Sequence, residues 1–309
     1  MSLAKHGMKA PQFSHAELKV RAIASRRANA QLLRVPWRRF RRAYEEYPRW
    51  QSLALWSGAI IAVEGRVPST LLTTLQEQCP GFIQDEATSR EPELLAYHLL
   101  EWVHNQRFRY AKRQGWLDAL TFYGVRHLRS ESAWAYREHC ESKWNRKPPS
   151  ALPTFNQWWG AALQMKICDK TSYLEVAKAV KTYLDWKALV LWLRPLFASN
   201  LKLPPHVISE LNRRCPGILR FQNSGPRQGG QEKSKIWRRF TKWGKDHCLR
   251  EAEKAGWLDT LLQRVRSHPR HVRIVAYGKH WAKENRTQRY PSFRQWRQAA
   301  DRYIEAGPK

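Results

Sequence analysis

The stretch KRQGWLDALTFYGVRHLR, residues 112–129, shares the tetrapeptide GWLD with a second stretch, EKAGWLDTLLQRVRSHPR, residues 253–270. The two copies, Gly115–Asp118 and Gly256–Asp259, lie 141 residues apart. With that shift, 13 of the 51 positions from Leu94 to Trp144 are identical to their counterparts, and no gap is needed. A tetrapeptide repeated inside a longer match indicates a structural element that is present twice.

Further blocks repeat in the same order along the chain. They are residues 50–56 with 186–192 and the CPG triplets 79–81 with 215–217, both 136 apart, and residues 153–162 with 291–300, 138 apart. The spacing between matched blocks changes by only a few residues. The sequence therefore predicts a tandem duplication of a unit of about 137 residues, which is the size of a small domain.

The repeats suggest a division of the 309-residue chain. We expect a basic N-terminal arm and helix in residues 1–49, a first helical repeat in 50–165, a connecting helix in 166–185, a second repeat in 186–303 with a flexible insertion near 223–233, and a C-terminal tail in 304–309. Hydrophobic residues make up 42% of the chain, which is enough for a packed core.

Helix signals are frequent, whereas alternating strand patterns are scarce. Ser14 and Ser172 begin capping boxes, and Ser69, Thr154 and Ser292 precede apolar-periodic runs as predicted N-caps. The CPG triplets are predicted to close short helices, with the glycine supplying the turn that follows. These signals predict an all-α protein with about a dozen helices.

The best-matched block predicts a helix-turn-helix unit. A long helix from about residue 93 to residue 113 ends at Gly115, and a short helix over 116–123, a tight turn and a further helix over 131–144 follow. In helix-turn-helix proteins the second helix of the pair enters the major groove of DNA. A plain helical hairpin with a solvated basic face fits the same pattern equally well.

Charge is the strongest signal for function. Lysine and arginine total 55 against 26 aspartate and glutamate, a net charge of +29, and residues 1–50 and 220–309 carry most of the excess. Solubility alone needs a net charge of only roughly 2–8 for a small domain. The balance favours a partner that is a polyanion, and nucleic acid is the commonest one. An anionic membrane is less favoured, because we find no basic amphipathic helix whose apolar face would not be buried in the core.

Arginines recur beside aromatic residues and near the second helix of each predicted helix-turn-helix. On a helix, Trp37, Phe40 and Tyr44 would face inward and the neighbouring arginines outward. The predicted nucleic-acid contacts are Arg38, Arg39, Arg41, Arg42, Arg129, Arg137, Arg238, Arg239, Arg270, Arg273, Lys279, Lys283, Arg294 and Arg297. For the repeated pair Arg129 and Arg270, an ion pair with the GWLD aspartate is an equally weighted alternative.

Catalytic and metal sites are not indicated. The sequence contains no Walker loop, GxSxG or HExxH motif, and no cluster of carboxylates for two metal ions. The repeated histidines His127/His268 and His139/His280 are predicted to be caps or packing residues. An Arg, His and Tyr set in the second repeat could be arranged as in a tyrosine recombinase, but only half of it recurs in the first repeat. We expect no cofactor.

The five cysteines form no CxxC pair and are odd in number, so they are expected to be buried thiols in a reducing compartment. No signal-peptide core or membrane span is apparent, which predicts a cytoplasmic or nucleoid-associated protein that is not secreted.

These features predict a non-enzymatic nucleic-acid-binding protein. Double-stranded DNA is the first choice, for a regulator, a replication or partition factor, or an architectural protein, with protein partners possible in a nucleoprotein complex. The alternative is an RNA-binding subunit of a ribonucleoprotein, and a third hypothesis is an accessory to a helical nuclease or recombinase.

Overall fold

A computed structural model describes residues 14–83, 92–147, 149–168, 171–199, 202–218, 229–284 and 290–304. The predicted all-α class is confirmed. The helices are α1 His15–Arg34, α2 Trp37–Glu64, α3 Ser69–Gln78, α4 Leu95–Gln106, α5 Arg109–Arg113, α6 Leu117–Gly124, α7 Leu128–Trp144, α8 Phe155–Gln164, α9 Tyr173–Ala198, α10 Pro205–Arg214, α11 Gly229–Cys248, α12 Arg250–Lys254, α13 Leu258–Ser267, α14 Pro269–Glu284 and α15 Phe293–Arg302.

A 3₁₀ turn, Pro92–Leu94, precedes α4, and two short antiparallel strands, β1 Lys166–Cys168 and β2 Thr171–Ser172, precede α9. Helices α1–α8 form the first half of the protein, and α9–α15 form the second half. Residues 223–228 of the predicted insertion lie outside the described residues, and α11 begins at Gly229.

Most helices begin where the sequence predicts. Ser14, Thr154, Ser172 and Ser292 each accept a hydrogen bond from the backbone N–H three residues on, in complete capping boxes. Ser69 is the exception, because α3 already begins at that residue. The N-cap residue is Pro68, which has an extended backbone (φ −70°, ψ 153°). Its side chain has no acceptor, so this helix has no side-chain cap.

The GWLD turn has the same geometry in both places. Gly115 has φ +71° and Gly256 has φ +72°. The N–H of Trp116 donates to the carbonyl of Ala111 at 3.0 Å, and the N–H of Trp257 donates to that of Ala252 at 2.9 Å. Each glycine N–H donates three residues back, which completes a Schellman helix end. The turn therefore closes α5 and α12 with a left-handed glycine and then directs a buried tryptophan into the core.

Replacing Gly115 or Gly256 with alanine should destabilise the protein by about 1 kcal/mol each, because a Cβ strains the left-handed backbone. Gly160 provides the matched control. It lies inside α8, and a Cβ added there would meet no atom within 4 Å, so Gly160→Ala should stabilise by about 0.5–1 kcal/mol. Urea denaturation of the three variants measures both signs, and equal destabilisation by all three would contradict this assignment.

The prediction of one long helix over residues 93–113 is wrong at residues 107 and 108, which separate α4 from α5. The helix is interrupted between α4 and α5, where the N–H of Phe108 donates to the carbonyl of Val103, five residues back, at 3.1 Å. Phe108 is buried against Tyr47, with ring centroids 5.7 Å apart. The break places this aromatic side chain in the core.

Two long helices organise the packing. Helix α2 contacts α4, α6, α7 and α8, and α9 contacts α11, α13, α14 and α15. A tryptophan on each long helix donates its indole N–H to a proline carbonyl just before the last helix of its half: Trp56 to Pro153 at 3.0 Å, and Trp192 to Pro291 at 3.2 Å. Both helices run through the predicted domain boundaries, since α2 continues across residue 49 and α9 across residue 185.

The core follows this arrangement. One continuous cluster fills the first half from α1 to α8. The second half has two clusters, one around the C-terminal part of α9 and one where Val176, Val180 and Leu184 meet α12 and α13. Four cysteines, Cys79, Cys140, Cys215 and Cys248, are confirmed as buried free thiols, and the side chain of Cys168 lies outside the described part of the protein.

Arg273 joins the two halves from within the protein. Its side chain is 1% exposed, and its guanidinium donates to the carbonyls of Leu32 at 2.8 Å, Val35 at 2.9 Å and Tyr303. Burial lowers the pKa of Arg273 to about 10, so the group remains charged at neutral pH. The prediction that Arg273 contacts nucleic acid is therefore wrong, because the buried guanidinium bonds backbone carbonyls at the end of α1 and after α15.

Arg273→Ala should destabilise the fold by about 3–5 kcal/mol, because it removes a buried, charged donor that bonds three carbonyls and leaves a cavity in its place. Lys279 is an exposed residue of the same helix, and Lys279→Ala should change stability by less than about 0.5 kcal/mol. Thermal and urea unfolding of the two variants test the difference, and a mild effect of Arg273→Ala would contradict the structural role.

Candidate nucleic-acid interface

The first two turns of α2 separate aromatic and basic residues as predicted. Trp37, Phe40 and Tyr44 are buried, and Phe40 is completely inaccessible. The four neighbouring arginines, Arg38, Arg39, Arg41 and Arg42, are exposed. Packing of the aromatic residues fixes the helix, and the helix then presents the arginines to solvent.

The four arginines differ in their surroundings. Arg41 forms an ion pair with Glu45 at 2.7 Å, and Arg42 forms one with Glu46 at 3.4 Å, each one turn along the helix. Arg39 instead crosses to α5, where its guanidinium lies 5.3 Å from the centre of the Tyr110 ring and donates to the Tyr110 hydroxyl. The carboxylates offset part of the charge of Arg41 and Arg42, whereas the partner of Arg39 is neutral.

Arg34, Arg38, Arg39 and Tyr110 form a surface that we call the basic corner, where α1 meets α2 and α5. A cleft of about 260 Å³ opens there, lined by Arg34, Arg39 and Tyr110 and, at its side, by the Gly115–Trp116 turn. Tyr110 is 47% exposed. Two guanidiniums beside an accessible aromatic ring can hold a phosphate and stack a base.

The repeated arginines Arg129 and Arg270 have different environments. Arg129 is exposed, and its Nε donates to the Tyr173 hydroxyl at 3.0 Å. Arg270 is 20% exposed and lies 3.9 Å from Asp185 and 3.8 Å from Asp301. Burial lowers the pKa of Arg270 below its usual range. Arg129 is thus open to solvent, whereas Arg270 mainly joins α14 to α9 and α15.

The alternative ion pair with the GWLD aspartate is wrong for both arginines. Asp118 pairs with Arg27 at 3.0 Å and receives a hydrogen bond from Gln31 at 3.5 Å, both from α1. The carboxylates near Arg270 come from α9 and α15, not from Asp259. Asp118 therefore joins its turn to α1 rather than to the repeated arginine.

The other predicted contacts are scattered over the surface. Arg238, Arg239, Lys279, Lys283 and Arg294 are exposed. Arg137 is half-buried beside Glu141 at 2.7 Å and lies 5.4 Å from the Trp134 ring centre. Arg297 lies 3.0 Å from Asp185.

The predicted N-capping role of two repeated histidines is confirmed. The Nδ1 of His127 accepts from the N–H of Arg129, and that of His268 from the N–H of Arg270, both at 3.1 Å. The two rings flank Tyr44, at centroid distances of 4.7 Å and 5.9 Å. Burial lowers the pKa of His127 to about 4 and that of His268 to about 3. Both rings are therefore neutral acceptors at physiological pH.

A half-buried ion pair lies beside them. Glu131 of α7 bonds Arg264 of α13, which links the two halves. Burial raises the pKa of Glu131 to about 7, although Arg264 and Arg126 act in the opposite direction.

Acid should destabilise the protein through the two capping histidines. Their folded pKa values lie below the unfolded value, so their stabilisation is present above about pH 6.5 and is lost as the pH falls through about 4. From about pH 7.5 to about pH 5 each histidine should cost up to about 2 kcal/mol. Glu131 has the opposite sign, since its contribution is lost as the pH rises through about 7.

Asparagine can cap a helix without titrating. The variant His127→Asn/His268→Asn should therefore keep its stability near neutral pH and lose less of it in acid than the unmodified protein. Thermal unfolding across the pH range measures the comparison. An unchanged loss of stability in acid would show that other groups titrate.

Sequence reasoning did not identify Arg34 and Tyr110. The only signal for Arg34 was its position in the last turn of a helix, two residues before Pro36. Tyr110 had no signal, because the approach of α5 to this point depends on tertiary packing. It also overlooked Arg213 and Arg214, although they stand beside a repeated CPG triplet.

Among the residues described, no three histidine, cysteine, aspartate or glutamate side chains converge as a metal ion would require. Within the same part of the chain, no helix combines the length and apolar character needed to cross a bilayer. Comparisons with protein-family models, curated proteins and solved structures found no match to this chain.

Proposed function

We propose that this protein is a non-enzymatic nucleic-acid-binding protein and that duplex DNA is its preferred ligand. The observation that carries the proposal is the basic corner, where the exposed Arg34 and Arg39 line a cleft beside the accessible Tyr110 on a chain with a net charge of +29. Phosphate contacts made by arginine supply most of the sequence-independent affinity for nucleic acid.

A rigid support favours this use of the corner. The carbonyls of Leu32 and Val35 are bonded by the buried Arg273, and Val35 itself lines the cleft. Arg34 therefore sits on a backbone segment whose last carbonyls have fixed partners. Side chains on rigid elements lose less entropy when they bind a phosphate.

The helix-turn-helix part of the proposal has less support than the basic corner. Recognition helices contact bases through their N-terminal residues. In α14 that end carries buried Pro269, Arg273 and Ile274, and in α7 it carries buried Ser130 and Ala133. Lys279 and Lys283, near the C-terminal end of α14, would then be the residues of this helix that contact nucleic acid.

We also propose that the two halves arose by tandem duplication. Supporting observations are the shared geometry of the GWLD turns, the two capping histidines and the indole-to-proline bonds of Trp56 and Trp192. Cys79 (φ −130°, ψ 65°) and Cys215 (φ −130°, ψ 68°) also end α3 and α10 in the same conformation. A duplicated binder suits two neighbouring sites on one duplex.

The test is the salt dependence of binding. Each phosphate contact contributes about 0.9 to the slope of log affinity against log salt on duplex DNA. Arg38→Gln/Arg39→Gln should therefore lower the slope by about 1.8 if each arginine meets one phosphate. Fluorescence anisotropy with a labelled duplex at several salt concentrations gives the slope.

Arg66→Gln is the control, since it removes an exposed charge beyond the far end of α2, about 40 Å away. Its slope should change little. Equal slopes for all three proteins would remove the basic corner from the interface. Tighter binding to RNA than to duplex DNA would favour the ribonucleoprotein alternative, and metal-dependent cleavage of the duplex would contradict the non-enzymatic proposal.

A further inference from the structure

A second basic cleft lies in the second half of the protein, between α10 and α15. Its volume is about 570 Å³, which is within the size range of ligand-binding clefts. Four arginines line it: Arg213 and Arg214 from α10, and Arg294 and Arg297 from α15. The cleft is distinct from the basic corner, which α1, α2 and α5 form in the first half.

Neighbouring groups hold three of these arginines in place. Glu210 accepts two hydrogen bonds from Arg213, at 2.7 Å and 3.0 Å, and also bonds Arg214. The guanidinium of Arg214 lies 4.5 Å from the centre of the Phe293 ring. Arg297 is held by Asp185 at 3.0 Å. Guanidiniums positioned in this way lose little freedom when they bind an anion.

The charge balance of the cleft remains positive. Its lining contains the carboxylates of Glu210 and Asp301 against the four guanidiniums, and Asp185, outside the lining, pairs with Arg297, so one positive charge remains in excess. The capped N-terminus of α15 also lines the cleft through Ser292 and Phe293, and its dipole favours negative charge. Arg294 is exposed in the first turn of that helix.

The corresponding positions of the first half carry no basic residue. With the shifts of the repeated blocks, Glu77 and Gln78 of α3 correspond to Arg213 and Arg214, and Asn156 and Trp159 of α8 correspond to Arg294 and Arg297. One arginine reaches this place in the first half. It is Arg49 of α2, which lies 6.0 Å from the Phe155 ring centre and 3.3 Å from Gln78.

The reverse holds at the basic corner. The shift of 136 residues places Glu175 at the position of Arg39, and the shift of 141 places Glu251 at that of Tyr110, whereas Arg34 falls on the basic Lys170. Glu175 forms the capping box of α9 with Ser172. The two halves therefore concentrate positive charge at different places on similar helices, which a general requirement for solubility does not explain.

We propose that the α10–α15 cleft binds consecutive phosphodiester groups of a nucleic-acid backbone, as a second contact site in addition to the basic corner. This inference rests on the proposed function. The exposed Arg213 and Arg294 can each meet one phosphodiester, and their forked guanidiniums suit phosphate oxygens. With one site in each half, nucleic acid would contact the two halves through different helices.

The experiment uses the full chain and the variant Arg213→Gln/Arg294→Gln. These two side chains are exposed, whereas Arg214 and Arg297 pack against Phe293 and Asp185. Anisotropy with a labelled duplex should show a salt slope smaller by about 1.8, and an affinity at least about tenfold weaker at moderate salt. Arg213→Lys/Arg294→Lys keeps both charges and should restore most of the slope.

The matched control is Lys178→Gln/Lys181→Gln, which removes two exposed charges from α9 outside the cleft and should leave the slope nearly unchanged. Thermal unfolding checks that every variant is folded. If the unmodified protein binds duplex DNA and the glutamine variant has the same slope, the cleft is not a phosphate site and the proposed function survives.

If the unmodified protein binds neither DNA nor RNA, the proposed function itself fails. A competition arm with polyglutamate distinguishes the source of the anion. Loss of polyglutamate binding in the glutamine variant, with unchanged duplex binding, would overturn the phosphodiester proposal in favour of an acidic protein segment.

Discussion

The buried guanidinium of Arg273 determines how the first and second halves meet. One side chain of α14 satisfies carbonyls at the end of α1 and after α15, so it fixes both the N-terminal helix and the C-terminal segment to α14. A buried charge is costly unless hydrogen bonds surround it. The bonded carbonyls include that of Val35, which lines the cleft of the basic corner. The position of the exposed Arg34 and Arg39 therefore depends on the buried Arg273.

Local features could be predicted from the sequence because their causes are local. Capping boxes, the glycine of the GWLD turn and the inward-facing aromatic residues of α2 all follow from spacing within a few residues. The break before α5 could not be predicted, because Phe108 gains its burial from Tyr47, far away in the chain. The same limit applies to charge: Arg273 and Lys279 look alike in the sequence, and only tertiary packing makes one buried and the other exposed.

Similar helices carry different surfaces in the two halves. The indole-to-proline bonds and the histidine caps occupy corresponding positions, and they lie among buried residues where substitution is costly. Exposed positions are free of that constraint, so Glu77 can stand where the other half has Arg213. The aligned blocks of the sequence contain this difference in charge. They do not show that the arginines of α10 and α15 line one cleft, because that depends on tertiary packing.

The long sequence separation of the Arg273 contacts has a consequence for synthesis of the chain. Leu32 precedes Arg273 by 241 residues, so a ribosome that adds about 5–20 residues per second needs roughly 12–48 s to provide the donor. During that time the end of α1 has its helical bonds but lacks the guanidinium that caps its last carbonyls. The first half can acquire most of its core early, and the final docking of its N-terminal helix must wait until α14 has left the ribosome.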